Sequence, residues 1–428
     1  MTSSGHADRS EGPAPDLVAG INRFSLDLYR HADAEPGNRC LSPLSVALVF
    51  GLAYRGAVGP TATEIATVFH FAHDPIRHHV ASAALVDALT IPPAEAPDLS
   101  WLDPEDRIDF IVATPADLRL VNSLWLQQGM VLQPSYALDA AAEQALGIRR
   151  VDYRCEPAAA LAKINAAVAA ETNGLINPLL SSANVTAETR ATLVNTLYWK
   201  AQWEIPFEPE DTDMAPFTLL DGGVVTARLM QQRDWFQVLE REGAKAIALP
   251  FHVDGHDHGV SMVILLPDDA AALPRFEAGL DHDRLATWLK DLDAAERRDT
   301  RLTLPRIHIE WGTDLVPQLR AMGLSLPFED AADFSGMAVL PAPDDPGMPS
   351  LKFDSVVHRT VLTVDERGCE AAAATAMVAV VGGIPTAPPP PPFEFRVDKP
   401  FLFLLRDDRT GLILFIGRHI VPEEGSKA

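Results

Sequence analysis

The chain has 428 residues, enough for two or three domains of about 150 residues or for one large mixed fold. Its 47% hydrophobic and 22% charged residues match a globular protein and exclude wholesale disorder or a collagen-like fibre. Lys plus Arg number 35 against 59 Asp plus Glu, a formal charge of -24, and such a surface repels phosphate backbones and anionic lipid, so neither nucleic-acid nor membrane binding is expected.

Residues 1–15 mix charges and turn formers without an apolar run. They read as a disordered leader and not as a secretory signal, which makes a cytoplasmic location the default and leaves export open. From about Asp16, Leu17, Ile21, Phe24 and Leu28 recur at helical spacing and predict a core-facing helix. Ser42-Pro43-Leu44-Ser45 ahead of an apolar run reads as a second helix start, and 160–172 and 314–322 are further helical candidates. Strand-like runs occupy 118–126, 191–199, 260–266, 301–309, 356–364 and 412–416. There is no repeat period and no internal linker, so residues 16–423 are expected to form one α+β domain with 424–428 as a tail. Cys40, Cys155 and Cys369 are odd in number and form no CxxC, which is neither a disulfide framework nor a zinc spacing.

Residues 371–393 carry no charge over 23 positions, yet Pro385 and Pro388 to Pro392 would break any spanning helix. No proline lies between Glu366 and Ile384, whereas six of the eight residues 385–392 are proline. A segment that must donate every ladder bond inside a sheet excludes proline, while a spacer held away from one tolerates it. The proline-free stretch also has a period of two, with Cys369, Ala371, Ala373, Thr375, Met377 and Ala379 on one face and Glu370 on the other. Alanine propensity alone would favour a helix over the same residues.

Here the residues carry a resemblance. Val361 to Thr375, VLTVDERGCEAAAAT, resembles the hinge of the serpins, whose usual form is close to EEGTEAAAAT. Asn38 with Ser42-Pro43 and Ser45, then Gly56-Ala57, Gly59, Thr61 and Glu64-Ile65, is similar to the family's NxxxSPxS and GAxGxTxxEI. Leu193-Val194-Asn195, Trp199-Lys200, Trp203 and Phe207 resemble LVNxxxxKxxWxxxF. Leu304-Pro305-Arg306, Ala332 to Gly336 and Asp398 to Phe403 match further blocks in the same order. Three departures stand out: Cys369 where Thr or Ser is usual, Ala167 in place of the Trp of INxWV, and the lengthening proline run.

The resemblance implies a serpin fold of three β-sheets and eight or nine helices with an exposed reactive-centre loop at about 366–395. It implies a one-use suicide substrate, no enzyme, that traps a serine protease as an acyl-enzyme when the loop inserts into the central sheet. The expected partner is that protease in a covalent complex with a monomer, and no cofactor is expected. Counting as the family does, the scissile bond joins Gly382 to Gly383, with Val381, Val380 and Ala379 as alternates. The hinge is Glu366, Gly368, Cys369, Glu370, Ala371, Ala372, Ala373, Ala374 and Thr375. Ser42, Ser45, Asn195 and His358 match a hydrogen-bond cluster beneath the central sheet, and Trp203 matches the residue packed where insertion begins. Seen alone, a histidine before an apolar strand is more often a satisfied core residue, and for His358 both readings can hold.

No Lys or Arg lies between Gly368 and Phe395, which disfavours a trypsin-like target and fits an elastase-like or subtilisin-like one. Two other readings stay open: a non-inhibitory binding or chaperone-like scaffold, and a thiol redox sensor through Cys369. The proline run reads as a stiff spacer or as a ligand for an SH3-like or WW-like module. His252, His256 and His258 with Asp254 and Asp257 read as a solvated hairpin tip and not a metal site. Nucleophile-elbow, zincin, Walker A and dinucleotide motifs are absent from the sequence.

Overall fold

The first expected helix forms over Pro15–His31 and buries Leu17, Ile21, Phe24 and Leu28 on one face, with Asp16 in its first turn and Arg30 and His31 in its last to complement the helix dipole. The second, Pro43–Gly56, places Pro43 in its first turn, where the missing N–H costs nothing, and is buried on nearly every side. The computed structural model describes residues 15–32, 37–90, 116–137, 147–241, 243–253, 259–339, 351–369 and 391–423. Among them are eight α-helices and three sheets, of nine, six and two strands. The α+β class is as expected.

Two boundaries differ from the sequence expectation. The run 301–309 is not one strand: Arg297–Pro305 belongs to the nine-stranded sheet and Ile307–Asp314 to the six-stranded one. The chain crosses between them at Arg306, whose N–H donates to the Arg228 carbonyl at 3.1 Å. The helix expected over 314–322 is shorter, Val316–Ala321, because Asp314 ends a strand and its Oδ1 accepts from the Val316 and Val356 amides at 3.0 and 3.1 Å. The third candidate begins earlier than expected, at Pro157, and runs to Glu171.

The nine-stranded sheet is continuous because Val224–Arg241 serves two sets of neighbours. Its second half pairs with Ala244–Phe251 at one edge, while its middle and first half pair with Arg297–Pro305 and Thr212–Thr218. The six-stranded sheet has the order Ile307–Asp314, Val356–Asp365, Gly368–Cys369, Ala191–Gln202, Asp117–Gln127, Ile148–Val151. Its inner face joins the main core with the Pro43–Gly56 helix, through residues such as Leu193, Leu197, Leu362 and Val364. The opposite face carries a second core of Trp125, Tyr153, Val194 and Val357 beneath Ile164 and Val168 of the Pro157–Glu171 helix. A strand joining the middle of this sheet therefore faces apolar layers on both sides.

Candidate functional site: a slot in the six-stranded sheet

The strands Val356–Asp365 and Ala191–Gln202 are parallel neighbours at one end only, where Val356, Val357 and His358 pair with Leu193, Val194 and Asn195. At the other end the chain reverses through Glu366 and Arg367 and comes back between them. Gly368 pairs with Asp365 and Gln202, and Cys369 with Val364 and Ala201. Between these ends, 359–363 and 196–200 flank each other without a shared ladder. The arrangement is a slot one strand wide at its mouth, where Gly368 and Cys369 sit, and closed at 356–358.

Gly368 is the residue this geometry requires. Its φ is +144°, and a Cβ there would stand 2.2 Å from the Ala201 carbonyl oxygen and 2.9 Å from the Trp203 nitrogen. Cys369 follows with 1% exposure, and neither it nor the other two cysteines is in a disulfide. The departure from Thr or Ser is thus a small side chain that the sheet accommodates.

Around the mouth, Trp203 lies stacked on Phe251 with ring centroids 4.4 Å apart and planes 8° from parallel. Its indole Nε1–H donates to the Asp365 carbonyl at 3.0 Å, and its backbone N–H donates to the Arg367 carbonyl at 2.7 Å. The Phe207 amide donates to the Glu366 carbonyl at 2.7 Å. The Glu366 carboxylate accepts from Arg306 Nε and Nη2 at 2.8 and 2.6 Å and from the Thr212 hydroxyl at 2.7 Å. Burial alone would raise its pKa, but the hydrogen bonds from Arg306 and Thr212 more than offset that, and the carboxyl titrates below its usual range. Glu366 is thereby tied to Thr212 of the nine-stranded sheet and to Arg306 at the crossing between sheets, while Arg367 is held by Trp203.

At the closed end a polar cluster crosses the gap. The Ser42 amide donates to His358 Nε2 at 3.0 Å, so that nitrogen carries no proton, and the proton on Nδ1 faces Asn195 Oδ1 at 3.0 Å. Ser45 Oγ lies 2.7 Å from the same Asn195 oxygen and 2.8 Å from the Ser42 carbonyl, and Asn195 Nδ2 donates to Asn122 Oδ1 at 2.8 Å. Complete burial pushes the His358 pKa down to about 3, so the ring is neutral at physiological pH, as these roles need. Ser42 acts through its main chain, and its own hydroxyl has no partner among the described residues. One step along, the Thr360 hydroxyl donates to the Cys40 carbonyl at 2.5 Å and holds the same strand.

The structure thus brings Ser42, Ser45, Asn195 and His358 into one network and sets Trp203, Glu366, Gly368 and Cys369 together at the opposite end. Glu370, Ala371 to Ala374, Thr375, Ala379, Val380, Val381, Gly382 and Gly383 lie outside the described residues. So do Asp254, His256, Asp257 and His258; His252 is described, and its amide donates to the Gln202 carbonyl at 2.8 Å. Among the described residues no cluster of metal-ligating side chains occurs, and no helix is long and apolar enough to cross a membrane. Ala167 is half-buried against the second core.

Sequence reasoning missed Asn122, Thr212, Thr360 and the role of Arg306. Arg306 stands in a matched block, but 60 positions separate it from Glu366 and nothing local pairs them. On the far side of the loop, Phe393–Arg396 lies parallel to Arg297–Pro305 at the edge of the nine-stranded sheet. The described residues on either side of 370–390 are therefore anchored in different sheets.

Residues 19–422 match the family described as Serpin (serine protease inhibitor). A serpin-like protein of Thermococcus kodakarensis is 31% identical over 97% of this chain and 88% of its own length. A leukocyte elastase inhibitor of Bos taurus is 30% identical over 95% of this chain and 99% of its own. The structure of uncleaved ovalbumin superposes with a TM-score of 0.76 over 95% of this chain and all of that one, at 24% identity.

Proposed function

Since this chain belongs to the serpin family, we propose that it inhibits a serine protease as a one-use substrate, by inserting its cut loop into the slot between Val356–Asp365 and Ala191–Gln202. The protease serine attacks the Gly382 carbonyl carbon, or that of Val381, Val380 or Ala379. The amine of the next residue leaves, and an ester joins the two proteins. The freed arm then continues the strand begun at Gly368 and Cys369 and carries the esterified protease toward the far end of the sheet.

One observation supports this reading above the others: Gly368 and Cys369 already occupy the slot. The residues that follow are proline-free to Ile384 and alternate small side chains on the face that Cys369 buries. The residues around the bait bond, Ala379 to Gly383, suit a shallow primary pocket of elastase or subtilisin type. The pairing around Cys369 also bears on the redox reading, because a thiol with 1% exposure is shielded while the hinge is seated.

Incubation with elastase-type and subtilisin-type proteases tests the proposal. The expected product is an SDS-stable adduct of protease and the cut chain, released by alkaline ester cleavage. A cleaved chain with no adduct across several such enzymes would favour the binding scaffold.

A further inference from the structure

In a chain of net charge -24, the outer face of one part of the nine-stranded sheet is locally basic. Register sets Trp235 beside Asp299, Arg233 beside Arg301 and Arg297 beside Gln237. On the next strand Glu394 lies beside Arg301, and Arg396 beside Thr303. Register partners share a face, so four arginines, 233, 297, 301 and 396, stand with Asp299 and Glu394 around one tryptophan, and a third carboxylate, that of Asp398, accepts from Arg396 Nε at 2.7 Å. All four arginines are exposed.

Trp235 is 60% exposed, an unusual position for the largest apolar side chain on a sheet that buries Phe236 and Leu302 on its other face. Its surroundings are held in place. Arg233 grips Asp299 through two bonds of 2.8 and 2.6 Å, and Arg301 reaches Glu394 at 2.8 Å. Arg297 is joined to no carboxylate among the described residues. Tryptophan and arginine on a rigid strand are the residue types that dominate binding energy at protein interfaces.

We propose that this face is a second docking surface for the protease that engages the loop, and that it selects a protease with acidic residues beside its substrate cleft. The proposal rests on the loop being the protease's target. Two features argue for that occupant over others. The face includes Phe393–Arg396, which begins ten residues after Gly383, so a protease on the bait bond is tethered to it by a short length of chain. Its charge is also opposite in sign to that of the chain as a whole, which would repel an acidic partner everywhere else.

The test measures the second-order rate of loop engagement, counted as adduct plus cleaved chain, with a subtilisin-type protease of acidic isoelectric point. That readout holds whether or not an adduct forms, so failure of the inhibitory reading and failure of this one are separable. Trp235→Ala is expected to slow engagement about tenfold with an unchanged ratio of adduct to cleaved chain and an unchanged melting temperature. Arg297→Glu should slow it at low salt and lose the effect at high salt. Ile76→Ala, at a residue 73% exposed on another face, should change nothing. Equal rates for Trp235→Ala and the unaltered chain would overturn the proposal. So would a shift in the adduct ratio alone, which places the residue in insertion. So would a concentration-dependent dimer dissolved by Trp235→Ala, which makes the face a self-association surface.

Discussion

Cutting the loop should stabilise the protein, and the register states by how much. Continuing the pairing from Cys369 with Val364 and Ala201, eight more residues bring Met377 opposite Val356 and Leu193, and Thr375 opposite His358 and Asn195. Those eight residues span about 26 Å at strand rise. An interior strand makes two ladder bonds per residue, so about sixteen bonds form at about 1 kcal/mol net each. Burying the side chains of Ala371, Ala373 and Met377 adds about 4 kcal/mol. Ordering eight tethered residues costs about 8 kcal/mol, and parting the three-residue ladder at 356–358 costs about 3 kcal/mol. About 9 kcal/mol remains. With an unfolding entropy of about 2.1 cal/mol/K per residue over 428 residues, the melting temperature should rise by about 10 °C. Calorimetry before and after nicking at the bait bond is the assay. Ala373→Pro removes a ladder donor in the middle of the inserted segment and should abolish the rise while leaving the uncut melt in place. A nicked, unaltered chain that melts where the intact one does would refute the reasoning.

Acid should weaken the fold. Burial holds His358 and His419 to a pKa of about 3, against about 6.5 unfolded, so the unfolded chain binds more protons below pH 6.5. Their contribution is complete above that value and is lost as pH falls toward 3, by about 2 kcal/mol per histidine between pH 7 and pH 5. Urea midpoints at the two pH values report it. His419 is fully buried between Phe217 and Phe401 with both ring nitrogens unpartnered among the described residues, so His419→Phe should raise stability by about 1–3 kcal/mol at pH 7 and flatten the acid slope. A variant whose pH profile runs parallel to the parent's would contradict this. Glu366→Gln leaves Arg306 without its charged partner; a loss of about 1–3 kcal/mol and faster spontaneous loop insertion, seen on native gels, are expected. Gly368→Ala should expel the hinge, because its Cβ would meet the Ala201 carbonyl, and cysteine labelling at residue 369 should accelerate from a negligible rate.

Much of this was legible in the sequence where chemistry is local. The glycine at 368 states a backbone requirement that one strand must meet by itself, while the period-two small residues from Ala371 and the proline boundary near Ile384 lie outside the described residues. The helix at Pro15–His31 and the strands around 191–202 and 356–365 follow from apolar spacing for the same reason. What escaped is what distance in the chain conceals. The split of 301–309 depends on Arg306 changing sheets, and no periodicity marks a residue that leaves one ladder for another. Glu366 finds Arg306 at the crossing between sheets 60 positions away, and Asn195 finds Asn122 on a strand 73 positions away, so these pairings exist only once the sheets are assembled. Asp314 ended a strand while its carboxylate accepted from the Val316 amide, which shortened an element that propensity alone would have extended.

The short Gly368–Cys369 segment also changes what kind of kinetic problem a cut arm faces. Strand addition from solution must first find its phase, and a slip of one residue would turn every inward side chain outward. Here the phase is fixed in advance, since two residues are engaged before any bond is broken. The arm needs only to extend a nucleus, one residue after another, like a zip whose slider is already on its track. On the proposed mechanism, the race against hydrolysis of the ester is timed by how fast His358 and Asn195 part, and not by any search.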